Sequence, residues 1–255
     1  MFASDAIYIG IDPTAGSRPL TYAALNGSLD LVALGQADLN ETLAFVAGQH
    51  QALVAVSAPP RPNQRLMESA EQRARLNPPP RPGRWGDFRV AEYLLRRRHI
   101  ACPKTPSKEA DCPTWMQRGF LLYRRLEGLG CAAFPARTPL QWVEVYPHAC
   151  YSSLLGLAPF PKSSFEGRVQ RQLVLFEQGV GVPDPIRLFE EITRHHLLHG
   201  VLPLETLHTP PALDALAAAY TAWRAVNHPQ DTVLLGDPQE GQVLLPVGEI
   251  NNAPA

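Results

Sequence analysis

An α/β fold, a mixed sheet flanked by helices in a single domain, is predicted by three features of the sequence. Ile7 to Ile11 is a nearly unbroken β-favouring apolar run, as a central strand covered on both faces requires. Further β-favouring runs lie at 20–25, 29–34, 52–56 and 142–145, and amphipathic helical stretches separate the later ones. With 255 residues, 45% of them hydrophobic, the chain can bury a sizeable core.

The first strand ends on Asp12. Pro13 keeps Asp12 extended and removes the next ladder donor, while Thr14, Ala15, Gly16 and Ser17 supply a tight reversal. A carboxylate is thus presented at the sheet edge, where its alternative role is to accept a turn hydrogen bond. Leu20 to Leu25 and Leu29 to Leu34 form a hairpin around Asn26-Gly27, and Asp38 or Asn40 caps a short helix through Val46. Ala52 to Val56 then lies parallel to the first strand through a right-handed crossover, and Ser57 occupies its tip. Three strands, a helix and a parallel strand follow the order of ribonuclease-H-like sheets.

Residues 61–87 change to Pro, Arg and Gly and read as an inserted arm with one short helix at 65–76. Between Arg61 and Arg98 there are ten arginines and four acids, so a segment of about +6 sits in a chain of net charge -1. Such a segment can hold a polyanion or form solvated helix faces. The arginines at 96–98 also suit the C-terminal dipole of a helix over 87–99. Thr114 begins a helix with Met116, Phe120 and Tyr123 inward, and Trp142 to Val145 is a strand interrupted by Glu144, which faces either solvent or the Asp12 edge.

Two helical turns over 148–155 precede a longer helix, 164–178, at whose start Lys162 and Arg168 can bind an anion or remain surface cations. A helix over 185–198 sets Glu191, His195 and His199 four apart, a spacing open to a metal or to helix capping. The alanine-rich helix 210–226 can approach a sheet closely and bring Asp214 near the strand tips, although an acid there also suits the helix dipole. A terminal hairpin pairs 233–235 with 243–247, and 251–255 is expected to fray.

Cys102, Cys112, Cys131 and Cys150 lack metal-ligand spacing and read as buried thiols. Met1 to Ala6 has no signal-peptide character and no run is long enough to span a membrane, so a cytoplasmic protein without membrane partners is expected.

Several blocks together resemble a widespread domain-of-unknown-function family, number 429, regarded as RNase H-like nucleases. They are Gly10-Ile11-Asp12, the Val54 to Pro59 strand, Arg89-x-x-Glu92 with Arg96 to Ile100, and Trp115-Met116-x-Arg118-Gly119. Glu144-Val145-Tyr146-Pro147, Lys162 with Glu166-Gly167-Arg168 and Arg171, and Leu213 to Ala222 complete the set. The resemblance implies an RNase H-like mixed five-stranded sheet with helical and Pro/Arg-rich insertions. It implies a carboxylate cluster of Asp12, Glu144 and Asp214 as Mg²⁺ or Mn²⁺ ligands, with Glu92 a further catalytic candidate and Lys162, Arg168, Arg89 and Ser57 contacting substrate. Nucleic acid is the implied partner, DNA or RNA, and a homodimer is left open.

Relatives usually carry aspartate where this chain has Ser57, which supplies no negative charge. A non-catalytic nucleic-acid-binding protein on the same scaffold is therefore the second reading. Actin-like kinases and ATPases share the strand order but need two phosphate loops, of which Thr14 to Ser17 is a fragment of one.

Overall fold

The computed structural model describes residues 5–14, 18–81 and 85–247. In chain order the elements are β1 (Ile7–Asp12), β2 (Leu20–Leu25), β3 (Leu31–Ala37), α1 (Leu39–Ala47), β4 (Ala52–Val56), α2 (Ala70–Ala74), α3 (Val90–Arg97) and α4 (Thr114–Gly128). There follow β5 (Ala132–Ala133), β6 (Leu140–Val145), α5 (Pro147–Leu155), α6 (Phe165–Glu177), α7 (Arg187–Glu191), α8 (Arg194–His199), α9 (Pro210–Asn227), β7 (Thr232–Asp237) and β8 (Gly241–Pro246). Among the described residues no helix is long and apolar enough to cross a membrane.

One eight-stranded sheet runs β3-β2-β1-β4-β6-β8-β7, with β5 pairing β6 off this path. The centre is parallel (β1 with β4, β4 with β6, β6 with β8), and antiparallel hairpins close both ends. The count exceeds the five strands expected because the terminal hairpin joins the same sheet through only two parallel pairs, Glu144 with Val243 and Val145 with Leu244, and because β5 adds a two-residue strand. Such non-local pairing leaves no local sequence signal.

The two faces of the sheet follow the strand period of two. Ile9, Ile11, Val54, Val56 and Trp142 pack with α1 and α4, whereas Tyr8, Leu53, Ala55, Val143 and Val145 pack with α5 and α9. α9 is buried nearly all round, and its alanines let its backbone rest on β1. A Cβ on Gly10 would lie 1.9 Å from the carbonyl oxygen of Ala215 and 2.6 Å from the nitrogen of Ala219, so only glycine permits this approach.

Two helices differ from expectation. The predicted helix 185–198 is broken at Ile192 and Thr193, because the Thr193 hydroxyl accepts from the His196 N–H and starts α8 afresh. The helix expected over 65–76 shortens to a 3-10 turn, Leu66–Glu68, and α2, which Ser69 caps. The reversal through Ala15, Gly16 and Ser17, the Pro82-Gly83 step, Arg84 and the 251–255 tail lie outside the described residues.

Candidate functional site

Asp12 shares the Tyr8 and Gly10 face of β1, the face α9 covers, and this parity decides what it meets. The close contact at Gly10 holds the first turns of α9 over the strand tip, and Asp214, 7% exposed, comes to the same pocket as Asp12. One Asp12 oxygen accepts the Thr14 N–H at 3.1 Å, so the turn role and the pocket role coexist. Burial and then the Asp214 charge raise the Asp12 carboxyl from about 3.8 to about 6, partly offset by Thr14, Lys162 and Arg118. Lys162 Nζ lies 2.8 Å from Asp214 Oδ2. Burial alone would lower the lysine, but Asp214 and then Asp12 hold it above its ordinary value.

These groups line a cavity of about 790 Å³, which also takes in Ser57, Trp115, Tyr146, His148, Phe160 and Arg171. Pro103, Pro147, Pro159, Pro161, Pro210 and Pro211 are among its lining residues, and their fixed φ angles stiffen its walls. The Ser57 hydroxyl oxygen is buried and makes no hydrogen bond among the described residues.

Glu144 does not join this pair of acids. It lies in register with Val56 and Ile11 on β6, one residue short of the tips where Asp12 and Ser57 sit, and shares its face with Trp142. There Arg89 takes both of its oxygens, at 2.9 and 2.5 Å. Glu92 closes the other side of the guanidinium at 3.0 Å and also accepts from the Thr105 N–H and hydroxyl. Glu240, fully buried, accepts from the backbone N–H groups of Gln64, Leu66 and Val90, and its carbonyl takes a further Arg89 bond. Burial would lower Arg89, but Glu144 and Glu92 hold it well above its usual range, while burial raises the Glu144 carboxyl against the lowering pull of Arg89. Arg89, Glu92 and Glu144 thus form one buried hydrogen-bonded network that ties α3 to β6 and to the turn before β8, apart from the Asp12–Asp214 pair.

Arg168 donates to the carbonyls of Leu207 and His208. At the start of α6 the Ser164 hydroxyl accepts from the Gly167 N–H. In the basic segment, Arg65 and Arg75 pair with Glu68 and Glu71, Arg73 binds the carbonyls of Met67 and Glu68, and Arg96 binds that of Cys102. Most of the described arginines there are engaged within the chain. Glu191 lies on α7, whereas His195 and His199 lie on α8 with their ring centroids 4.1 Å apart. Among the described residues no group of three or more His, Cys, Asp or Glu is placed to hold a metal.

Sequence reasoning missed His148, Trp115 and Arg171 as pocket residues. Pro147 at the first position of α5 was a readable helix start, but nothing local places that start beside Asp12.

The chain belongs to the family described as Protein of unknown function (DUF429), whose model matches residues 10–240. No curated protein and no solved structure matches it.

Proposed function

We propose that this member of the DUF429 family is a divalent-metal-dependent nuclease or related phosphodiesterase of RNase H-like fold, acting in the Asp12–Asp214 pocket. The observation that carries the reading is the convergence of two carboxylates from β1 and α9 in one cavity, with Asp12 raised to about 6. The run β3-β2-β1-β4-β6 within the sheet has the strand order of RNase H-like folds, which supports it.

The donor set suits one Mg²⁺ or Mn²⁺, which needs hard oxygen ligands and takes one or two carboxylates with phosphate oxygens and waters. Asp12 and Asp214 would hold it, with the Ser57 hydroxyl, which makes no hydrogen bond among the described residues, lining the same cavity. Its chemistry there would be to neutralise the phosphodiester and favour attack by water. Two ions lack a third carboxylate, since Glu144 is taken by Arg89. Lys162, 59% exposed and on a flexible stem, can release Asp214 and pair with a phosphate oxygen. The aromatic rings of Trp115, Tyr146 and Phe160 can pack on bases or sugars.

The test is cleavage of labelled single- and double-stranded DNA and RNA with Mg²⁺, Mn²⁺ or EDTA. Metal-dependent cleavage that Asp12→Asn and Asp214→Asn both remove supports the reading. Unchanged activity in both variants refutes it.

A second reading, non-catalytic nucleic-acid binding on the same scaffold, is favoured by two observations: Ser57 carries no charge, and Arg89 neutralises Glu144. Binding that is indifferent to magnesium and accompanied by no cleavage would select it.

A further inference from the structure

The start of α5 opens into the same pocket and differs in chemistry from the two acids. Among the described residues no side chain caps it, and its first internal bond runs from the Cys150 N–H to the Tyr146 carbonyl. Helix geometry therefore leaves the His148 and Ala149 N–H groups without a helical acceptor, and the dipole of this nine-residue helix favours negative charge there. Tyr146, Pro147 and His148 all line the cavity.

Arg171 supplies an independent observation. It is only 2% exposed, lines the same cavity, and gives one terminal nitrogen to the carbonyls of Phe160 and Gly167, at 2.7 and 3.1 Å. Its Nε is buried with no hydrogen-bond partner among the described residues. A buried guanidinium with an unmade N–H is costly unless something else accepts from it. Burial and then Arg171 lower the His148 imidazole, with Lys162 acting in the same direction and Asp214 against it, so the uncharged ring is favoured there.

We propose that the N-terminus of α5, Arg171 and Lys162 together form a phosphate-binding subsite, and that the pocket receives a nucleoside monophosphate unit. The phosphate takes the helix N–H groups and the cations, while the aromatic walls hold the nucleoside. A cavity of about 790 Å³ has the size of a small-ligand site. The unit is either a free mononucleotide or the phosphorylated end of a single strand. The inference deepens the proposed function, on which its link to cleavage rests; phosphate recognition itself needs neither acid nor metal.

The experiment is calorimetric titration of the full chain in EDTA, where no metal-dependent cleavage intervenes. The probes are inorganic phosphate, adenosine monophosphate, adenosine, and a short single-stranded oligonucleotide with and without a 5′-phosphate. Phosphorylated probes are expected to bind about tenfold or more tightly than their unphosphorylated partners, the scale of a charged hydrogen bond. Binding by the mononucleotide alone identifies a free ligand, and binding by the 5′-phosphorylated strand as well identifies a strand end.

His148→Asp places a carboxylate at the second position of α5, where the dipole favours it, so the thermal midpoint should be kept while phosphate binding is lost. Arg171→Lys should weaken binding in the same assay. Adenosine binding as tightly as its monophosphate, or His148→Asp binding phosphorylated probes like the unaltered protein, overturns the subsite. Either result leaves the Asp12–Asp214 cation site standing, because manganese affinity is measured separately.

Discussion

Lys162 Nζ sits 2.8 Å from Asp214 Oδ2, placing an ammonium where the proposed function requires a divalent cation. The lysine comes from the Pro159–Ser164 connection and the aspartate from the buried start of α9, so an exposed, movable cation faces a fixed acid. Lysine and metal therefore compete for one oxygen. Lys162→Ala should bind Mn²⁺ more tightly than the unaltered protein and cleave more slowly. Its stability should change by no more than about 1 kcal/mol, because the ammonium is largely in water. Manganese titration by electron paramagnetic resonance, with thermal melting alongside, checks both halves.

Asp12 makes stability depend on pH with a definite sign. Its folded carboxyl titrates at about 6 against an ordinary 3.8, so between these values the folded protein binds the extra proton. The contribution of this group is fully present below pH 3.8 and is lost as pH rises through 6. Asp12→Asn should thus stabilise the fold at pH 7 to 8, by on the order of 2 kcal/mol, while removing activity. Urea melts at pH 4 and pH 8 measure this: the gain should appear at pH 8 and shrink at pH 4.

Arg89 is predicted to matter for folding only. Arg89→Met leaves Glu144 and Glu92 buried without their cation and should cost about 3–5 kcal/mol. Glu144→Gln is the sharper variant, since it should lower the melting temperature yet leave Mn²⁺ affinity unchanged. Lost manganese binding in a folded Glu144→Gln protein would restore Glu144 to the metal site.

Gly10→Ala tests how the acids are brought together. A methyl 1.9 Å from the Ala215 carbonyl must push α9 off β1, and overpacking of this kind costs about 1–3 kcal/mol or more. Asp214 moves with the helix, so cleavage should fall further than stability does. Circular dichroism melts and the cleavage assay on the same preparation separate the two effects.

What the sequence disclosed and what it concealed divide along local and distant interactions. The β1 run, its proline-terminated tip, the Asn26-Gly27 hairpin, the Asp38 cap and α9 were legible because each depends on neighbours within a few residues. So was the prospect that small side chains would carry Asp214 to the strand tips. Glu144 was legible as an acid in an apolar strand, but its direction was not. That depends on a register in which Asp12 and Ser57 extend one residue past the row of Ile11, Val56 and Glu144, and on an arginine 55 residues away. The Arg-rich segment was legible only as composition, which records charge, whereas the carboxylates and carbonyls that Arg89, Arg96 and Arg73 meet are supplied by the fold.

A structure determined from crystals soaked in Mn²⁺ tests the central claim most directly, because anomalous scattering locates the ion without assumptions about its ligands. The account predicts one peak between Asp12 and Asp214, with Lys162 turned away from the Asp214 oxygen it now holds. An unchanged Lys162–Asp214 pair with no peak beside it, at manganese concentrations that support cleavage, would contradict it.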